Sequence, residues 1–252
     1  MYNDTAVVRQ APGVDRRAGL LSTAPIAPAS AAVAAHSLTR RYGDGDSAVE
    51  AVRDVSLEIP AGEFTAIMGP SGSGKSTLMH LLAGLDRPTE GTVAIAGEDI
   101  TDMGDKQLTL LRRRHIGFVF QAFNLVPTLN AEENVTLPLS IAGRRVDQDW
   151  VDAVIDRVGL SDRRTHRPAQ MSGGQQQRVA VARAIVAEPT VLFADEPTGN
   201  LDSKSSGEVI ALLSEAAGAY GQTIVMVTHD PDAAEAADRV IHIADGRVEA
   251  IA

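Results

Sequence analysis

Short apolar runs alternate with amphipathic helical patterns along most of this chain. The apolar runs have the length of buried strands and cover residues 64–68, 116–120, 191–194 and 223–227. Helical periodicity follows the first and the third of them, over residues 76–85 and 205–220. A repeated order of strand and helix favours a parallel sheet covered by helices, which places the chain in the α/β class.

Two regions depart from this order. Alternating polar and apolar positions near residues 37–42, 49–59 and 92–96 predict antiparallel strands. Between residues 129 and 158 the sequence shows only amphipathic helical patterns, at 132–141 and 147–158. We therefore predict a mainly parallel core sheet, an N-terminal antiparallel β subdomain and an inserted helical subdomain at about 122–170.

The first 34 residues differ from the rest in composition. They are rich in Ala, Pro, Ser and Thr and carry no sustained periodicity, so we expect a flexible N-terminal tail followed by one domain over 35–252. Arg16 and Arg17 precede a mildly apolar run, which leaves a twin-arginine export signal as an alternative. Pro25 and Pro28 interrupt that run and weaken this alternative.

Composition narrows the functional classes. The 252 residues are 44% hydrophobic and 22% charged, which is typical of a globular protein. No run approaches the roughly 20 apolar residues that cross a bilayer. A formal net charge of -10 argues against a nucleic-acid partner. The chain has no cysteine, which excludes disulfides, iron–sulfur clusters and a cysteine nucleophile.

One glycine-rich segment carries a specific phosphate-binding pattern. It lies between a predicted strand and a predicted helix and matches G-x-x-x-x-G-K-[ST] through Gly69, Pro70, Ser71, Gly72, Ser73, Gly74, Lys75, Ser76 and Thr77. Glycines allow backbone N–H groups to converge on phosphate oxygens at the start of the helix. We expect Lys75 to contact the β and γ phosphates of a nucleotide, Ser76 to ligate Mg²⁺, and Thr77 to contact the α-phosphate side.

A second apolar strand ends in two adjacent carboxylates, Asp195 and Glu196. Ligand sites form at the carboxyl ends of parallel strands. In phosphoryl transfer, Asp195 would hold Mg²⁺ through its water shell, and Glu196 would polarise the attacking water. On an isolated strand such a pair would more simply cap a helix or face solvent, but the phosphate loop favours catalysis.

A third segment is similar to the signature sequence of the ATP-binding cassette family: Met171, Ser172, Gly173, Gly174, Gln175, Gln176, Gln177 and Arg178. The other family motifs follow in the family's order from about residue 36, at Tyr42, Gln121, Asp202 and His229. Met171 stands where the family usually has leucine, a substitution that keeps volume and apolarity. The resemblance implies a P-loop nucleotide-hydrolase fold.

The resemblance also assigns roles. It implies that Tyr42 stacks on adenine, that Gln121 coordinates Mg²⁺ or water, and that His229 contacts the γ phosphate or orients the water. Asp202 joins this nucleotide-binding set. Ser172, Gly173, Gly174 and Gln175 begin a helix, whose free N–H groups form a second anion site. In the family, two copies pair head to tail, and each copy offers its signature to the ATP that the other holds.

At the level of the whole protein, the resemblance implies an ATPase that uses ATP and Mg²⁺ and drives a separate integral membrane permease from the cytoplasmic face of the membrane. Segments 120–125 and 195–202 look like the branch of lipoprotein-release and macrolide-efflux systems. Apolar residues after Gln121 would form either a permease-docking surface or core packing. An importer subunit and a regulator of a permease-like membrane protein remain alternatives. A cassette protein acting on DNA or ribosomes is disfavoured, because the chain has one cassette, a short insertion and no cysteine.

Overall fold

The core sheet carries the phosphate-binding loop. In the computed structural model, which describes residues 31–43, 45 and 48–252, this sheet has six strands in the order β10-β9-β3-β8-β7-β6. They are β3 (Phe64–Met68), β6 (Ile116–Phe120), β7 (Val191–Asp195), β8 (Thr223–Thr228), β9 (Arg239–Ala244) and β10 (Arg247–Ile251). All pair in parallel except β10, which is antiparallel to β9. Every residue of β8 is buried, as expected for a central strand with both faces covered.

A second, antiparallel sheet confirms the predicted N-terminal β subdomain. Its order is β2-β1-β4-β5, built from β1 (Ala31–Tyr42), β2 (Val49–Pro60), β4 (Glu90–Ile95) and β5 (Glu98–Asp99). Its inward side chains, such as Leu38 and Ile59, belong to the same hydrophobic cluster as Phe193 of the core sheet. The two sheets therefore share one core.

The first strand corrects the predicted domain boundary. β1 begins at Ala31, four residues before the expected start at 35, and Ala31 pairs with Pro60. The segment is mostly alanine, so its polar and apolar positions alternate too weakly to predict a strand. Val33 is nevertheless fully buried, and it pairs with residues of β2 and β4. The rest of the predicted tail, with the export-signal alternative, lies outside the described residues.

Helices cover both faces of the core sheet. Helices α1 (Lys75–Leu82) and α2 (Asp105–His115) pack on the face shared with the antiparallel sheet. The opposite face packs against α5 (Gly173–Ile185), α6 (Ser203–Tyr220) and α7 (Pro231–Ala234). In the described part of the chain, none of the helices has both the length and the apolar character that a bilayer span requires.

The inserted region forms the two predicted helices, α3 (Ala131–Ile141) and α4 (Gln148–Arg157). The α3 helix begins with reciprocal bonds between Asn130 and Glu133, a capping box that the sequence Asn-x-x-Glu favours. Apolar side chains of α3 and α4 form a third cluster with Val179 and Ala182 of α5. The α5 helix therefore packs against both the inserted helices and the core sheet.

Candidate functional site

The phosphate loop joins β3 to α1 in a conformation that only glycine can take at two positions. Gly69 has φ +156°, and a Cβ atom there would lie 2.0 Å from the carbonyl oxygen of Ile243. Gly74 has φ +100°, and its Cβ would lie 2.1 Å from the carbonyl oxygen of Ala51. Such distances are far below van der Waals contact, so the backbone approaches β2 and β9 only because these side chains are missing.

The start of α1 is built to receive an anion. Its N-cap is Gly74, no side chain caps it, and its first turn holds no acidic residue, so its N–H groups stay available. The Lys75 ammonium donates to the carbonyl oxygens of Gly69 at 2.8 Å and Pro70 at 2.9 Å, and the residue is only 8% exposed. A buried positive charge therefore lies inside the loop.

The loop faces an open cleft of about 650 Å³. The cleft brings together most of the predicted loop residues and all three side chains predicted to be catalytic, Lys75, Glu196 and His229. It is lined by Ala51, Pro70, Ser71, Gly72, Gly74, Lys75, Ser76, Thr77, Glu196 and His229. Gly69 does not line the cleft, but it allows the loop backbone to pass close to β9. The buried hydroxyl of Ser73 has no hydrogen-bond partner among the described residues, and a Cβ atom added at Gly69 would lie 2.8 Å from it.

Ser76 lines the cleft and is hydrogen-bonded to Asp195, which is not among the lining residues. The Ser76 hydroxyl donates to Asp195 Oδ1 at 3.3 Å. Burial raises the pKa of Asp195, and the nearby His80 opposes that shift. A hydroxyl and a carboxylate side by side are oxygen ligands of the kind that Mg²⁺ prefers, and a cation would offset the cost of burying the carboxylate. These residues therefore fit the predicted metal role.

Glu196 and His229 form a close pair at the edge of the cleft. The His229 Nδ1 atom lies 2.9 Å from both carboxylate oxygens of Glu196. An ionised carboxylate only accepts hydrogen bonds, so Nδ1 carries the proton and donates. Glu196 has φ +46°, and its amide donates to the carbonyl of Val227 at 2.9 Å, which fixes this turn at the end of β7.

The signature segment lies elsewhere on the same chain. Ser172 caps α5: its hydroxyl accepts from the Gln175 amide at 3.3 Å, while Gln175 Oε1 accepts from the Ser172 amide at 2.9 Å. A Cβ at Gly174 would lie 2.6 Å from the Ser205 hydroxyl, so α5 and α6 approach closely there. In the described structure, Ser172, Gly173, Gly174 and Gln175 do not line the cleft.

Tyr42 and Asp202 have protein partners of their own. The Tyr42 hydroxyl donates to Asp86 at 2.7 Å, and the Arg40 guanidinium lies 4.4 Å from its ring centroid. Asp202 is the N-cap of α6 and accepts from the Ser205 amide at 3.0 Å, which lowers the pKa of its carboxyl. Neither residue lines the cleft as described, so their nucleotide contacts stay predictions.

Gln121 follows β6 and is held by Asn200 through reciprocal bonds. Its side-chain amide donates to Asn200 Oδ1 at 3.3 Å, and Asn200 donates to the Gln121 carbonyl at 3.0 Å. Gln121 thus lies beside the segment that follows Glu196, although it is not among the residues that line the cleft. Its metal role also stays a prediction.

Two site-forming residues were missed by sequence reasoning. Gln177 is fully buried and donates to the carbonyls of Phe120 at 3.2 Å and Pro197 at 2.6 Å, so it ties α5 to the strand ends that carry Gln121 and Glu196. The available signal was its helical spacing from Gly174, which puts both on one face. Ala51 also lines the cleft, and no sequence pattern indicates that it is a site residue.

The strand–loop–helix cradle and the acidic end of β7 define a nucleoside-triphosphate-binding protein of the P-loop class. A family model described as ABC transporter matches residues 52–199, more than half of the chain. The chain therefore belongs to the ABC transporter family. The resemblance and the fold predicted from the sequence are confirmed.

Known relatives point to one branch of that family. The chain is 51% identical over 216 residues to the macrolide export ATP-binding/permease protein MacB of Nitrosomonas europaea, a match that covers 84% of this chain and 33% of the relative. It thus spans about a third of that relative. It is 47% identical over 214 residues to the uncharacterized ABC transporter ATP-binding protein YknY of Bacillus subtilis, covering 84% of this chain and 93% of the relative.

A solved structure shares the fold. The ATP-binding cassette MJ0796, described as a dimer in a post-hydrolysis state with ADP and phosphate, matches with a TM-score of 0.80 and 42% identity. The match covers 87% of this chain and 97% of the other.

Proposed function

We propose that this chain hydrolyses ATP in the cleft described above and drives a separate permease of an exporter or cell-envelope system. The observation that carries the proposal is the convergence of two pairs, Ser76 with Asp195 and Glu196 with His229, on one phosphate loop. The names of the MacB relatives support export.

ATP would be held by its phosphates. The free N–H groups at the start of α1 and the buried charge of Lys75 suit the β and γ phosphates. Ser76 and Asp195 would hold Mg²⁺, which supplies neutralisation of the charge on the phosphate oxygens when it is bound. Gln121 would approach the same position from β6, and Tyr42 would cover the adenine.

Glu196 would act as the general base. It would orient the attacking water and accept a proton from it, while the hydrogen bond from His229 Nδ1 holds its carboxylate in place. In neutral His229 this leaves Nε2 as an acceptor, suited to orienting water. Contact between Nε2 and a phosphate oxygen would need the protonated ring.

A second copy would complete the site. The start of α5 has its own free N–H groups at Gly173 and Gly174, yet it lies away from the cleft of its own chain. A head-to-tail homodimer would bring this signature to the γ phosphate bound by the partner. The dimeric state of the MJ0796 cassette supports this arrangement.

The permease partner would place the chain at the cytoplasmic face of the membrane. MacB relatives are named as ATP-binding/permease proteins, and this chain matches only about a third of their length. YknY, by contrast, is matched over nearly its whole length. The pairing of cassette and permease in the MacB names supports a permease partner for this chain.

Replacing Glu196 with glutamine tests the hydrolytic role. Glu196→Gln should still bind ATP and form an ATP-dependent dimer, but its turnover should fall by about 10²–10⁴-fold because an amide cannot accept the water proton. Phosphate release and size-exclusion chromatography measure the two effects. Glu249→Gln, an exposed position on β10, is the matched control. Turnover of Glu196→Gln close to that of the control would refute the assignment.

A further inference from the structure

The turn directly after Gln121 has an unusual backbone. Phe123 has φ +23° and Asn124 has φ +51°, in the left-handed region that residues other than glycine rarely adopt. The Asn124 amide donates to the carbonyl of Ala122, which closes a tight three-residue turn around Phe123. Such a conformation persists only where surrounding groups hold it in place.

Arg183 of α5 supplies that hold. One guanidinium nitrogen donates to the Asn124 carbonyl at 2.6 Å, and the other donates to the Phe123 carbonyl at 2.9 Å. The planar fork of arginine suits two neighbouring acceptors, whereas a lysine ammonium is a single point charge. Burial lowers the pKa of Arg183. Among the described residues Arg183 forms no ion pair, and its guanidinium donates to these two carbonyls.

The same turn also lies close to the start of α5. A Cβ atom added at Gly173 would meet the tip of the Phe123 ring at 3.6 Å, so the ring lies beside the first residue of the helix. The Phe123 carbonyl is bound by Arg183 near the end of the same helix. Through this turn, the position of Gln121 becomes tied to that of Ser172 and Gly173.

We propose that Arg183 is a positioning residue for ATP hydrolysis, because it fixes the turn of Phe123 and Asn124 and so sets Gln121 relative to the signature at Ser172. The inference rests on the proposed function. Arg183 contacts neither the cleft nor the phosphate loop. It therefore acts on the catalytic step through the geometry of these two segments and leaves binding of ATP to the loop unchanged.

Neutral and conservative replacements of Arg183 test this role. In Arg183→Met the turn loses both donors, and we expect kcat to fall by about 10- to 100-fold while the Kd for ATP stays within about twofold. Arg183→Lys retains a charge and one donor direction, so it should recover part of kcat. The matched control is Arg112→Met, since Arg112 also donates to a carbonyl, that of Gly84 at 2.6 Å, but on α2.

A second variant separates positioning from stability. Asn124→Val leaves Arg183 intact but disfavours the turn, because a β-branched residue is strained at the φ of +51° that Asn124 has. It should lower kcat in the same direction as Arg183→Met, with ATP affinity and thermal unfolding close to wild type. If Arg183→Met fails to fold, Arg183→Lys and Asn124→Val decide the question.

The inference is overturned if Arg183→Met and Asn124→Val keep kcat within about twofold of wild type. It is also overturned if Arg112→Met, at an equal loss of Tm, shows an equal loss of kcat. Failure of the proposed function looks different. In that case, wild type itself would not hydrolyse ATP, or Glu196→Gln would remain active. Active wild type, inactive Glu196→Gln and unaffected Arg183 variants would reject this inference alone.

Discussion

A mixing experiment tests whether the signature acts across a dimer. The first variant, Lys75→Ala, removes the ammonium that bonds two loop carbonyls and faces the cleft. Loss of one charge-assisted contact to phosphate costs about 1.5–3 kcal/mol, which corresponds to about 10- to 150-fold in affinity. The second, Ser172→Arg, places a bulky cation at the exposed start of α5. It also removes the hydroxyl cap, at about 1 kcal/mol, which is small against the stability of a domain.

Each variant alone has a defect in every site. In a mixed dimer with shared sites, one site carries both defects and the other carries neither. With equal amounts and random pairing, half of the dimers are mixed and each has one intact site of two, so about a quarter of wild-type turnover should return. If each chain used its own signature, every site would keep one defect and no activity could return.

Two different affinity tags isolate the mixed dimers, and phosphate release then gives turnover per dimer. The decisive second measurement is the number of ATP molecules trapped per dimer. Mixed dimers that neither trap ATP nor hydrolyse it faster than their parents would refute the shared site. Trapping of one ATP without turnover would instead show that both sites must be intact for hydrolysis.

Two further predictions concern the first strand and the buried carboxylate. Deletion of residues 1–34 should destabilise the domain by at least about 1.5–3 kcal/mol relative to deletion of 1–30, because Val33 is fully buried in β1; equal urea midpoints for the two truncations would contradict this. Burial raises the pKa of Asp195, so without nucleotide the folded state binds a proton more readily than the unfolded chain. The free energy of unfolding should therefore decline as pH rises through that raised pKa, and Asp195→Asn should remove this decline. Urea unfolding at a series of pH values measures the free energy. If Asp195→Asn leaves its dependence on pH unchanged, the buried carboxylate is not the source of the decline.

Strands of the core sheet could be predicted closely, and the reason is their burial. Phe64–Met68 and Ile116–Phe120 are continuous apolar runs that end at turns, so their bounds follow from hydrophobicity. The α2 helix was not predicted, since only Leu108 and Leu111 are buried and its last turn is basic. The strands β9 and β10 were also not predicted, because their mixed exposure gives only a weak alternation of polar and apolar positions.

The candidate site also contains residues that could be predicted from the sequence and residues that could not. Loop residues such as Gly69 and Lys75 act through local backbone geometry, which a contiguous motif encodes. Gln177 and Arg183 act on segments 57 to 60 residues away, and their partners depend on how α5 packs in the finished fold. A run of glutamines, or one arginine among many, does not indicate which backbone carbonyl each side chain will bind. Periodicity could place them on the helix but not choose their partners.

The end of β7 shows why two adjacent carboxylates can serve different steps. Successive side chains of a strand point to opposite faces, so Asp195 and Glu196 would separate if the strand simply continued. Instead, Glu196 takes a left-handed conformation with φ +46°, at a cost of about 1–2 kcal/mol for a residue with a Cβ atom. Its amide still bonds the Val227 carbonyl of β8, and its carboxylate meets His229 just after that strand. Asp195 remains in the strand register and meets Ser76. The strained turn therefore directs the carboxylate that we propose as the base toward the same phosphate loop as the carboxylate that we propose to hold Mg²⁺.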